Sequence, residues 1–101
     1  MNISKTPLEF VSVLRELLID PQVLINLGID MASFAMLKVR QRDVAVIQLF
    51  LDDLLSQKYS HQDLEDWWAS MPVGFHFSGG DGVKSFLNEL RAEVAKPRLH
   101  P

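Results

Sequence analysis

The chain has 101 residues, of which 48% are hydrophobic and 23% charged, and its formal net charge at pH 7 is -3. This composition excludes a disordered chain and predicts that residues 1–101 form a single domain with a packed core. The sequence contains no cysteine, which excludes disulfides and thiolate chemistry and is typical of a cytoplasmic protein. Neither a secretory signal pattern nor an apolar run of the ~20 residues that span a bilayer is evident, so we expect no membrane insertion.

Helix-start signals punctuate the first third of the chain. Thr6 is followed by a proline, which predicts an N-cap with proline at the first helical position. Asp20, also followed by a proline, predicts the start of a short second helix, and Gly28 predicts its end. Asp30 then predicts a third helix beginning at residue 31.

The segment 31–57 allows two interpretations. It forms either one long helix or two helices with a break at 40–43, where Asp43 would cap the second; the pattern slightly favours the break. Residues 44–55 are apolar around most of the helix circumference. A helix of that kind lies in the middle of its domain.

The remaining signals complete an all-α prediction. Ser60 predicts the start of another helix, with Asp63 at its third position favourable to the helix dipole. The stretch "PVGFHFSGG" at 72–80 predicts a Gly/Phe-rich loop, after which Asp81 begins a last helix that Pro97 ends. We therefore expect a single-domain bundle of five or six helices.

Acidic residues concentrate in the middle of the chain. Residues 43–81 contain seven acidic residues and one basic residue, Lys58, a balance of -6. Such a block repels a phosphate backbone, so we expect no direct binding to nucleic acid. It is compatible with ordinary solvated helix faces. Natural surfaces usually mix charge signs, however, and a single-sign surface steers a charged partner.

Helical spacing indicates which residues of this block face outwards. Leu49 and Asp52 project from the central helix, and Asp63 and Asp66 from the next, with Glu65 nearer the boundary. Burial is the more common outcome for both tryptophans of "DWW", and if either ring is exposed it is Trp67, at the edge of the apolar stripe. The candidate partner-binding residues are Leu49, Asp52, Asp63, Glu65, Asp66, Trp67, Phe75 and Phe77.

No pattern predicts catalysis, a metal or a cofactor. His61, His76 and His100 lack metal-ligand spacing. The cluster "SGGDG" lacks the Gly-Lys-Ser/Thr ending of a phosphate loop. Adjacent Asp52 and Asp53 point in different directions on a helix, so they do not form a catalytic pair. We expect a protein that is not an enzyme.

The segment "LFLDDLLSQKYSHQDLEDWW" (49–68) resembles small helical immunity proteins of bacterial toxin systems, of the contact-dependent inhibition or bacteriocin type. The resemblance implies a stoichiometric inhibitor that neutralises a cognate toxin in the cytosol. A nuclease toxin fits the charge, because its basic active site attracts an acidic inhibitor. The alternative is a homo-oligomeric or adaptor helical module without catalytic activity, in which Leu49 and the "FHF" loop form a dimer contact. The chain would be a monomer or a weak dimer.

Overall fold

A computed structural model describes residues 3, 5–73, 75–77 and 81–96. Within these residues there are six α-helices and no strand, which confirms the all-α prediction of five or six helices. The predicted roles of 78–80, Pro97 and His100 lie outside the described residues. The helices are α1 (Leu8–Arg15), α2 (Pro21–Asn26), α3 (Met31–Met36), α4 (Val44–Leu54), α5 (His61–Ala69) and α6 (Gly82–Val94).

Three of the predicted caps form hydrogen bonds at helix starts. The Asp20 carboxylate accepts from the N–H of residue 22 at 3.0 Å, and the Asp30 carboxylate accepts from the N–H of residue 33 at 2.9 Å. Ser60 Oγ accepts from the Asp63 N–H at 3.1 Å, and the Asp63 carboxylate accepts from the Ser60 N–H at 2.9 Å. This reciprocal pair is a capping box, which fixes the first turn of α5.

The predicted end of α2 is also confirmed. Gly28 has a φ of 70°, the left-handed conformation that glycine adopts without steric penalty. The Ile29 N–H donates to the Leu24 carbonyl at 2.9 Å, and the Gly28 N–H donates to the Ile25 carbonyl at 3.0 Å. These two bonds form a Schellman motif, so both ends of this short helix are fixed by local hydrogen bonds.

The predicted cap at Thr6 is wrong. Pro7 takes the N-cap position of α1, with extended backbone and no side-chain cap bond. The Thr6 hydroxyl instead accepts a hydrogen bond from the indole N–H of Trp67 at 3.0 Å. The Thr6 hydroxyl is therefore hydrogen-bonded to a residue distant in sequence and not to the start of α1.

Segment 31–57 contains two helices, as the slight preference for a break predicted. α3 ends at Met36, Arg40 is extended, and a 3-10 turn over Gln41–Asp43 leads into α4. The bend places Val39 in the core, where its side chain is buried.

Five residues of α4 are buried, but the prediction that α4 lies in the middle of the domain is wrong for its outer side, where Val46 and Leu49 are exposed. Ile47, Leu51 and Leu54 are almost fully buried, and α6 packs against α3, α4 and α5. α2 lies at the edge: Leu24 is its only buried residue and is outside the main cluster of contacting core side chains. None of the described helices has the length and apolarity required to cross a membrane.

Candidate functional site

The two aspartates at the end of α4 are paired with cations. The Asp52 carboxylate accepts from Arg91 Nε on α6 at 2.7 Å. Asp53 lies 2.6 Å from Lys58 Nζ and also accepts from the Tyr59 hydroxyl at 3.1 Å. The hydrogen bond from Lys58 lowers the pKa of Asp53 below its usual value. Both charges are thus largely balanced within the chain.

The acidic residues of α5 and the loop before α6 serve several local contacts. Asp63 belongs to the capping box, and its hydrogen bond with the Ser60 backbone lowers its pKa. Asp66 accepts from the Gln62 amide at 2.8 Å. Asp81 lies 2.9 Å from His61 Nδ1. Glu65 is half-buried at the boundary, as predicted.

Trp67 is buried, which is the outcome favoured for both tryptophans, so the candidate role of Trp67 as an exposed contact is not supported. Its side chain is 8% exposed, and its ring lies 6.1 Å from Phe10 and 6.0 Å from Phe50, centre to centre. Trp68 is buried more deeply, in the order that the stripe predicted. Because its indole N–H also bonds to Thr6, Trp67 contributes to the core and is not available to fill a pocket on a partner.

Phe75 and Phe77 are also drawn inwards. Their ring centres lie 5.8 Å and 5.3 Å from that of Trp68, and Phe77 lies 5.5 Å from Phe86 on α6. Both are half-buried against the core. The "FHF" loop is therefore mainly a cover for Trp68, and it does not form a protruding contact.

Exposed apolar residues surround α2 instead. We call these five side chains, each between 40% and 67% exposed, the α2 patch: Leu18, Val23, Ile25, Leu27 and Ile29. Val23 and Ile25 lie on α2 itself, Leu18 precedes the helix, and Leu27 and Ile29 follow it, so the five exposed side chains fall within residues 18–29. Sequence reasoning missed this patch. The sequence did contain a signal for it. A six-residue helix buries one face, so apolar residues on its other sides must be exposed.

Leu49 is exposed on α4, as predicted, at 71%. Its neighbour Val46 is 39% exposed. Leu49 and Asp52 are the members of the candidate set that face solvent from α4, but Asp52 is bound to Arg91. The candidate residues as a set therefore do not form one surface that is both acidic and aromatic.

A groove of about 260 Å³ opens between α1, α3 and the start of α4. Its floor consists of buried apolar side chains: Val13, Ala35, Val39 and Ile47. Its charged lining consists of Glu9, Glu16 and Asp43 with one cation, Lys38, whose Nζ lies 3.6 Å from Glu16. Asp43 occupies the N-cap position of α4 but makes no side-chain cap bond.

Comparison with family models, curated proteins and solved structures finds no match for this chain. Function is therefore argued from the surfaces alone. Within the residues described, no group of three or more His, Cys, Asp or Glu side chains is placed to hold a metal ion. Among the described residues, exposed large apolar side chains lie in the α2 patch, on the outer side of α4, and at Leu8 and Leu37, and the groove is a further surface open to a partner.

Proposed function

We propose that this chain is a non-catalytic protein-interaction module that associates with a second copy of itself through the α2 patch. The observation that carries this proposal is the exposure of all five patch side chains in one short segment. Clusters of exposed large apolar side chains are uncommon on a monomer and mark an interaction site. This function corresponds to the homo-oligomeric helical module of the sequence analysis, with the contact on α2 in place of Leu49 and the "FHF" loop.

The charge of this segment favours a second copy. Between Leu18 and Ile29 the one charged residue is Asp20, whose carboxylate accepts from the N–H of residue 22. A two-fold contact places the same patch opposite itself, and an uncharged patch does so without like-charge repulsion. An amphipathic membrane-surface helix, by contrast, needs a Lys/Arg-rich polar face, which α2 lacks.

Local hydrogen bonds also reduce the free energy that association requires. The Gln22 amide donates to the Asn26 side-chain oxygen at 2.9 Å, so the two polar side chains of α2 are bonded to each other. The Asp20 cap and the Schellman motif at Gly28 fix the helix ends before contact. Little ordering and little loss of polar hydration then oppose burial of the patch.

The dimer should be weak. A standard interface buries roughly 800 Å² on each partner, and five partly exposed aliphatic side chains supply only the centre of such a surface. We expect sedimentation velocity to detect the dimer as protein concentration rises from about 1 μM to about 500 μM. A chain that remains monomeric throughout would refute the proposal.

Ile25→Glu tests the patch, with Leu49→Glu as its control. The two positions are 65% and 71% exposed, and both changes add one negative charge. We expect Ile25→Glu to remain monomeric and Leu49→Glu to dimerise as the unaltered chain does, with circular dichroism confirming that both fold. If only Leu49→Glu abolishes the dimer, the contact lies on α4 and the assignment to α2 is wrong.

Inhibition of a bacterial toxin stays a prediction. The acidic and aromatic candidate residues do not meet on one exposed surface, because Asp52 is paired with Arg91 and Trp67 lies in the core. No contact of the described residues favours a nuclease over another partner. The interaction module is therefore the function that the geometry supports best.

A further inference from the structure

We infer that the groove between α1, α3 and α4 binds a partner-protein helix that carries apolar side chains flanked by Lys or Arg. This site is separate from the α2 patch, since none of the five patch residues lines the groove. Its failure would leave the proposed self-association untouched.

The size of the groove favours inserted side chains over a free small molecule. Its volume of about 260 Å³ is below the roughly 300–1,000 Å³ of ligand pockets, and it is open to solvent along one side. The buried floor of Val13, Ala35, Val39 and Ile47 is apolar. Leu8 also lines the groove and is 75% exposed, so a helix lying across the groove would remove the Leu8 side chain from water.

The charge of the groove favours a basic partner. Three carboxylates line it, on Glu9, Glu16 and Asp43, against the single ammonium of Lys38. Glu9 and Asp43 have no side-chain ion pair among the described residues, and Lys38 pairs with Glu16 only at 3.6 Å. An excess of negative charge around an apolar floor attracts and orients a cationic helix.

Asp43 adds a second observation to the charge count. Asp20 and Asp30 have extended backbone and cap their helices with the side chain. Asp43, at the end of a 3-10 turn, instead has helical backbone, as Asp81 does before α6, and such a residue does not cap. The Asp43 side chain makes no cap bond and lines the groove. Its carboxylate is therefore available to a cation bound there.

A pair of model peptides tests the inference. One is an amphipathic helix of leucine and lysine, and the other carries glutamate in place of every lysine. We expect the Leu/Lys peptide to bind, to shift the amide resonances of groove residues such as Val13 and Val39, and to leave those of α2 unshifted. Failure of the Leu/Lys peptide to bind, equal binding of both peptides, or shifts confined to α2 would overturn the inference.

Charge variants test whether the acidic residues of the groove attract the peptide. The double variant Glu9→Gln with Asp43→Asn should weaken binding about fivefold, as expected for two exposed ion pairs, and should reduce the dependence on salt. Lys38→Gln removes the one cation and should tighten binding about twofold. The matched control is Asp66→Asn with Glu89→Gln, which removes the same charge from exposed positions outside the groove. If the control variant weakens binding equally, binding depends on the net charge of the protein and not on the groove, and the groove assignment is wrong.

Discussion

Single side chains in this chain are committed to partners that lie far away in sequence. Thr6 and Trp67 are 61 residues apart, and Asp52 and Arg91 are 39 apart, yet each pair forms a direct hydrogen bond. A hydrogen bond to a side chain that enters the core carries more weight than an exposed ion pair, because an unmade buried bond leaves a polar group without water. The Thr6–Trp67 bond is therefore the more informative of the two for stability.

Thr6→Val should lower the free energy of unfolding by about 1–2 kcal/mol, because the Trp67 N–H loses its acceptor while the side-chain volume is kept. Thr6→Ser retains the hydroxyl and should recover most of that loss. Urea denaturation of the three proteins measures the difference. If Thr6→Val is as stable as the unaltered chain, the Trp67 N–H is satisfied by water and the bond contributes little.

Helix boundaries could be predicted from the sequence wherever the deciding interaction is local. The Asp20, Asp30 and Ser60 caps each bond within three residues, and the Gly28 turn closes over five. A sequence pattern contains all the atoms involved in such bonds. Thr6 was misassigned because its actual partner, Trp67, lies outside any local pattern.

The capping box of α5 makes the stability of this helix depend on pH. The bond with the Ser60 backbone lowers the pKa of Asp63 in the folded chain, so its contribution is fully present above the unfolded value near 3.8 and is lost as pH falls through the folded value. Comparison with Asp63→Asn isolates this contribution.

We expect the unaltered chain to be more stable than Asp63→Asn near pH 7, with the difference shrinking in acid below about pH 4. Chemical denaturation at several pH values gives both curves, and NMR titration of Asp63 gives its folded pKa directly. Parallel curves across the acidic range would show that the charge of Asp63 does not stabilise the start of α5.

At the scale of the whole molecule, folding pairs part of the acidic block with a basic residue from another part of the chain. The middle of the chain is strongly acidic, but Arg91 on α6 forms an ion pair with Asp52 on α4. The fold class could be predicted because apolar periodicity is a property of each helix. The surface could not, because it depends on which helices pack together.

Packing also divides the molecule into a core and an edge. Helix α4 contacts α1 and α6 through buried side chains, whereas α2 is attached through Leu24 alone. A helix held by one buried residue can open without unfolding the rest. The exposed α2 patch and the helix with a single buried residue are therefore the same element.

Leu24→Ala should release α2 without a matching loss of global stability. At concentrations where the chain is monomeric, we expect the α2 amides to exchange hydrogen much faster, because the side chain that holds the helix is removed. Leu51→Ala, a change of the same size in α4, should lower the free energy of unfolding by the about 2–5 kcal/mol typical of core truncation. Hydrogen exchange and urea denaturation of both variants separate the two responses. If Leu24→Ala lowers global stability as much as Leu51→Ala, and the α2 amides exchange no faster than those of α4, then α2 unfolds only with the core.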